Sequence, residues 1–165
     1  MGIETGRRRW LVGSVLSLAL LAAACGEKKE ESKEAGETSE QAEEALSPFE
    51  LENGIGPIKA AVELGAIDQA MVATGSQLFD TKCAMCHKMD TTYVGPALGA
   101  VTTRRTPAYI MNMILNPQEM VERHPVAKQL LAERMTFMAN QNLKIEEARA
   151  VLEYLRTQAK ATPKP

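Results

Sequence analysis

Apolar and polar positions divide the chain into three regimes. Trp10 to Leu21 is a short apolar run that ends in Ala22-Ala23-Ala24. Residues 27–44 carry almost no apolar side chain. From Asp68 onward, apolar residues recur at spacings of three and four, the period of a helix packed on one face. Asp68 caps a helix predicted to run to about Thr81, with Val72, Gly75, Phe79 and Cys83 near one face. Thr106-Pro107 is a cap followed by proline at the first helical position, and the helix stops before Pro117. Its inward stripe is Tyr109, Ile110, Met113 and Ile114. Pro125 opens a short helix, Val126 to about Arg134, with Leu130 and Leu131 inward. The last helix, Ile145 to about Ala159, shows Ala148, Val151, Leu152 and Leu155 at helical spacing, with Tyr154 beside them. This face is expected to cross the first helix at Gly75, because a glycine inside a helix costs about 1 kcal/mol against alanine and suits a close crossing.

Between the polar stretch and the first helix, residues 48–67 hold turn signals, Asn53-Gly54, Gly56-Pro57 and Gly65. They read as an extended arm, a surface strap with little regular structure. The first 24 residues read as an export signal: Arg7, Arg8 and Arg9, then the apolar run, then small residues before Cys25. Leu21-Ala22-Ala23-Ala24-Cys25 resembles a bacterial lipobox, with Ala22 where leucine is commoner. That resemblance implies lipidation of Cys25 and anchoring to a bacterial membrane, with the domain on the periplasmic or outer face. Residues 25–47 then form an acidic, disordered tether. Eight Glu and three Lys between Glu27 and Glu44 give that stretch a charge of −5. As a coil, about 40 residues ahead of the core reach roughly 35 Å.

Charge therefore sits in the tether. The whole chain carries −2, yet residues 46–165 hold 13 basic and 12 acidic side chains. A near-neutral domain of this kind gives no basic footprint for a nucleic-acid partner.

The chemistry lies in Cys83-Ala84-Met85-Cys86-His87. Two thiols three positions apart, with an imidazole after the second, form the attachment sequence of a c-type haem. On a helical turn both sulfurs reach the vinyl groups on one porphyrin edge and form thioethers. The next residue then lies under the ring, where a neutral histidine nitrogen binds iron. A structural zinc site would need four nitrogen or sulfur ligands. The third cysteine is Cys25, far upstream, and the only other histidine is His124, expected on an exposed turn and a poor second ligand. A thioredoxin-like pair would follow a buried strand, and the pattern before Cys83 is helical.

Downstream, Gly95-Pro96 suits a loop pressed against the porphyrin, and a proline carbonyl there can accept the other ring N–H of His87. Arg104 and Arg105 are either partners for the haem propionates or a solvated basic pair. Arg134 to Leu143 is a polar stretch with two thioethers, Met135 and Met138, each a soft donor suited to low-spin iron. Met111 and Met113 belong to the core.

Taken together, these parts resemble the class I c-type cytochromes, mono-haem all-α electron carriers. The likeness covers about residues 68–160. It rests on Gly75 and Phe79 before the haem sequence, then Gly95-Pro96, the methionine loop, and Val151-Leu152-Glu153-Tyr154-Leu155-Arg156. It implies one covalent haem c, axial ligation by His87 and a late methionine, and transient docking to donor and acceptor proteins. The family usually places that methionine before a proline, with leucine about five positions on. Met138 stands at that distance from Leu143, with Ala139 where proline is usual, so Met138 is preferred over Met135. Asn140-Gln141-Asn142-Leu143 and the run ending Asn116-Pro117 resemble lipoprotein cytochromes beside nitrous-oxide reductase systems. The implied role is one-electron transfer in a membrane-linked respiratory chain, to a periplasmic reductase or a terminal oxidase. The alternative is a haem enzyme or gas sensor with a labile sixth ligand.

Overall fold

The computed structural model describes residues 45–159. The predicted export signal, the lipidation candidate Cys25 and nearly all of the tether lie outside them. Within the described residues the structure is helical, with no strand. The helices are α1 (Pro48–Asn53), α2 (Gln69–Lys82), α3 (Val101–Arg104), α4 (Pro107–Leu115), α5 (Pro117–Arg123), α6 (Pro125–Arg134) and α7 (Ile145–Thr157).

Local signals set most of the boundaries. The Asp68 carboxylate accepts from the backbone N–H of Ala70 and Met71, starting α2. Thr106 Oγ1 accepts from Tyr109 N at 3.1 Å ahead of Pro107, starting α4. Lys144 offers no side-chain acceptor, but Glu147 reaches back to its backbone N–H at 2.8 Å. Half of a capping box therefore starts α7.

The main core forms where α2 crosses α7. A Cβ built on Gly75 would run into the carbonyl of Ala150 and lie 3.0 Å from Tyr154 Cβ. The close approach expected at Gly75 is present, and it brings Phe79 against Val151, Leu152 and Leu155. Phe79 and Tyr154 pack with ring centroids 5.4 Å apart. Met111 and Ile114 of α4 complete this cluster, with Met111 in the core as expected. A second cluster joins Ile55 to Tyr109, Met120, Val121 and Ala127.

The arm differs from its sequence reading. Pro48–Asn53 is a helix, closed by a capping box in which Glu50 N donates to Ser47 Oγ and the Glu50 carboxylate accepts from Ser47 N. Six residues are too few to show a period, and the readable signal was the Ser-x-x-Glu spacing. Beyond α1 the arm is irregular, as expected, but it is firmly tied. Asn112, fully buried on α4, donates to the carbonyls of Asn53, Gly54 and Ile58 and accepts from Ile58 N at 2.9 Å. Further along, Arg149 and Arg156 grip the fully buried Glu153 and also donate to the carbonyls of Glu63 and Gly65. Buried Asn112, and two arginines anchored on buried Glu153, thus supply what the arm's backbone lacks internally.

Two further departures concern α5 and His124. Pro117 does end α4, but it also serves as the first residue of α5, the position where a missing N–H costs nothing. His124 is fully buried, not on an exposed turn. Its Nδ1 accepts from Val126 N at 3.2 Å, so the proton lies on Nε2, which donates to Leu51 O at 3.1 Å. A histidine thus caps α6 and holds α1 at once.

Candidate cofactor site

The Cys83–His87 segment continues α2 by a tight turn. Cys86 N and His87 N both donate to Cys83 O, at 3.0 and 2.9 Å. Cys83 is half-buried and Cys86 exposed, and neither is in a disulfide. Burial, the largest influence, pushes the Cys83 thiol up, with neighbouring Cys86 adding to it and Lys82 opposing.

The loop after His87 folds back over the imidazole. Gly95 N donates to Cys86 O and Leu98 N to Lys88 O, each at 2.9 Å. His87 Nδ1 lies 2.9 Å from Pro96 O. A carbonyl can only accept, so the ring proton sits on Nδ1 and the Nε2 lone pair is left for a metal. Any Cβ on Gly95 would overlap the His87 ring. Both residues of the Gly95-Pro96 pair therefore have a steric or hydrogen-bonding reason to be there.

Cys83, Cys86, His87, Gly95, Pro96 and Met138 all line one cavity of about 330 Å³. Its remaining wall is largely apolar, drawn from α2, α4, α6 and α7, and includes Phe79, Ile110, Leu131 and Leu155. Met138 is half-buried and packs against the main core. Met135 is 82 % exposed, does not line the cavity and has a left-handed backbone at the end of α6. Of the two thioethers, only that of Met138 is on the cavity wall.

The stretch from Met135 to Lys144 is irregular. Its tie to α2 is Lys82 Nζ to Gln141 O, at 3.3 Å. Its tie to the end of α4 is Asn140 Nδ2 to Leu115 O, also 3.3 Å. Arg104 and Arg105 both line the cavity, as do Lys82 and Arg134.

Two cavity residues were not legible as site residues from the sequence. Among the described residues, the buried side-chain nitrogen or oxygen atoms without a hydrogen-bond partner are Tyr109 Oη and Arg134 Nε, and both residues line this cavity. Tyr109 was placed on the inward stripe of its helix, which gave its direction but not its function. Arg134 carried no signal beyond its position ahead of the methionine loop.

A family model described as Cytochrome c matches residues 72–159. The chain belongs to the cytochrome c family. This cytochrome is 52% identical to the solved cytochrome c from Rhodothermus marinus, covering 68% of this chain and 97% of that one with a TM-score of 0.64. An engineered form of that protein, bound to a carbene intermediate, is also 52% identical, over 68% of this chain and 98% of that one, with a TM-score of 0.61. Among curated proteins it is 33% identical over 109 residues to photosystem II extrinsic protein V of Synechococcus sp. (strain JA-3-3Ab), covering 58% of this chain. The chain spans 59% of the length of that relative.

The cofactor of this cytochrome is covalently attached haem c. The cavity fits it on three observations. An imidazole with its proton held away presents Nε2, two cysteines precede it on one turn, and a largely apolar wall also carries unpaired hydrogen-bond donors. The cytochrome c family consists mainly of haem-based electron carriers.

Proposed function

We propose that this cytochrome carries one electron at a time with His87 and Met138 as the axial pair, attached through Cys83 and Cys86. Bound haem supplies exchange between ferric and ferrous iron. The chain's own residues set the conditions for it. Pro96 O holds the His87 proton on Nδ1 and raises the basicity of the other nitrogen. Met138 contributes a soft donor that raises the potential, and the apolar wall excludes water from the ring. The observation that carries this reading is the placement of Met138, and not Met135, on the same cavity as His87.

The ferric protein is expected to show the far-red sulfur-to-iron charge-transfer band. Met138→Ala removes it and Met135→Ala leaves it; the reverse pattern would move the ligand role to Met135.

The physiological setting belongs to the same proposal. The lipobox-like sequence Leu21-Ala22-Ala23-Ala24-Cys25 and the acidic stretch after it support lipidation at Cys25 and a membrane-anchored carrier on the periplasmic or outer face. Its partners there are a membrane donor and a periplasmic reductase of the nitrous-oxide type, or a terminal oxidase. Metabolic labelling with a fatty acid, lost in Cys25→Ala, tests the anchor.

A second reading has a specific observation behind it. Met138 sits in an irregular stretch tied to α2 and α4 by two exposed 3.3 Å hydrogen bonds, and the engineered Rhodothermus relative binds a carbene. A haem enzyme or gas sensor would exchange its sixth ligand readily. Binding of carbon monoxide to the untreated ferrous protein would favour that reading, and resistance favours the carrier.

A further inference from the structure

We infer that Asn53-Gly54 is a modification site: the Asn53 amide hydrolyses when the arm comes off α4, and the product hinders the arm from closing again. The site lies in the arm and does not depend on which groups bind the cofactor.

Of the asparagines in the chain, only Asn53 precedes a glycine. A residue with no side chain lets its backbone nitrogen come close to the side chain before it. In the reaction the Gly54 nitrogen attacks Cγ of Asn53. A new C–N bond forms, the Cγ–Nδ2 bond breaks, and the proton of the Gly54 N–H leaves with the side-chain nitrogen as ammonia. Water then opens the five-membered imide at one of its two carbonyls, giving aspartate or isoaspartate. Asparagine and water thus yield a carboxylate and ammonium, with no oxidant or reductant.

The fold demands this pair and also restrains it. Gly54 has φ +77°, and a Cβ there would lie 2.9 Å from Met120 Sδ, so position 54 is closed to residues with a side chain. Gly54 N donates to Glu50 O at 2.8 Å, which keeps the proton on the nucleophile. Asn53 Nδ2, the leaving nitrogen, donates to Phe49 O at 3.2 Å. Asn112 Nδ2 donates to the carbonyls of Asn53 and Gly54, at 3.0 and 3.3 Å. Asn53 is only 7% exposed, which keeps away the water that the second step consumes. These restraints are lost together when α1 and the arm lift from Asn112, a local opening short of global unfolding.

The product does not fit where the asparagine did. A carboxylate at position 53 sets an acceptor against Phe49 O, which has no hydrogen to give. It also places a buried negative charge at the C-terminal end of α1, where the helix dipole opposes it. Isoaspartate adds a carbon to the main chain and displaces the two carbonyls that Asn112 holds. A chain that has opened is therefore marked at residue 53, and its arm is held less firmly afterwards.

The test is peptide mapping of full-length holo-protein aged near neutral pH, reading the mass gain of amide hydrolysis and the isoaspartate content. In denaturant the parent is expected to react at Asn53 well ahead of Asn140 and Asn142. Folded parent should react at Asn53 on the order of a hundredfold more slowly than the denatured chain. Asn112→Leu should speed the folded reaction on the order of tenfold, because modification follows the population of the open arm. Ser47→Ala removes only the exposed cap of α1 and should speed it by less; it carries the comparison if Asn112→Leu does not fold. Asn53→Asp, standing for the product, should lower the denaturant midpoint and hasten proteolysis between residues 53 and 58. A folded parent that reacts as fast as the denatured chain would overturn the restraint, and so would variants no faster than the parent. No preference for Asn53 in denaturant would overturn the site itself. Asn53→Asp with the parent's midpoint and cleavage pattern would overturn the loosening of the arm.

Discussion

The Nδ1–H of His87 donates to the carbonyl of Pro96 at 2.9 Å, while the neighbouring Gly95 has no room for a side chain against the same ring. One loop therefore orients the imidazole by a hydrogen bond and sets its depth by contact. Gly95→Ala forces either the ring or the loop to move. The expected cost is about 1–3 kcal/mol, read as a lower denaturant midpoint and a lower yield of haem-loaded protein. Unchanged yield and stability would show that the loop tolerates the methyl.

The α2–α7 crossing makes a second prediction with an internal control. Gly75→Ala puts a methyl into the Ala150 carbonyl and should destabilise the domain by roughly 1–3 kcal/mol. Gly65→Ala meets open space within 4 Å, and its denaturant midpoint should stay close to the parent's. Equal effects at the two glycines would contradict the close crossing.

Asn112 and Glu153 tie the arm to the helices through different chemistry. Asn112→Leu leaves the Ile58 N–H and three arm carbonyls without their partner. A cost of about 2–3 kcal/mol is expected, with faster proteolysis between Asn53 and Ile58. Glu153→Leu removes the carboxylate shared by Arg149 and Arg156, at 2.6 and 2.7 Å, and should cost about 3–5 kcal/mol. Proteolysis then shifts towards Glu63–Gly65, because those two arginines also hold that part of the arm.

The acid limb of stability should include Glu50. Hydrogen bonds from the Ser47 backbone and side chain, in that order, hold its carboxyl below the usual 4.5. A depressed folded pKa means that its contribution is complete above about pH 4.5 and fades as pH falls through the folded value. Ser47→Ala should lower stability by about 1 kcal/mol near neutral pH and lose less on acidification than the parent. Thermal midpoints from about pH 7 down to about pH 3 check the sign, and a parallel acid response in both proteins would refute it.

Most of what the site does chemically was legible locally. Cys83, Cys86 and His87 depend on spacing along one helical turn, and Gly95-Pro96 on backbone rules that hold wherever the pair occurs. Caps at Asp68 and Thr106 and the proline at position 107 mark helix starts for the same reason, since each acts within four residues. The six-residue α1 lay below the length at which a hydrophobic period shows, and α5 began at a proline that read only as a stop.

His124 and Asn112 are polar residues whose burial depends on partners 73 and 54 positions away, and no local pattern announces that. Glu153 pairs locally with Arg149 and Arg156, but the arm carbonyls those arginines hold lie 86 and 91 positions from them. The choice between two thioethers three residues apart was similar. Backbone direction after α6 turns Met135 to solvent and brings Met138 to the cavity wall. The sequence by itself determined the attachment chemistry and the helical class, because both follow from short-range spacing. Only the tertiary structure decided which buried polar groups are satisfied and which, like Tyr109 and Arg134, are left with a hydrogen to give.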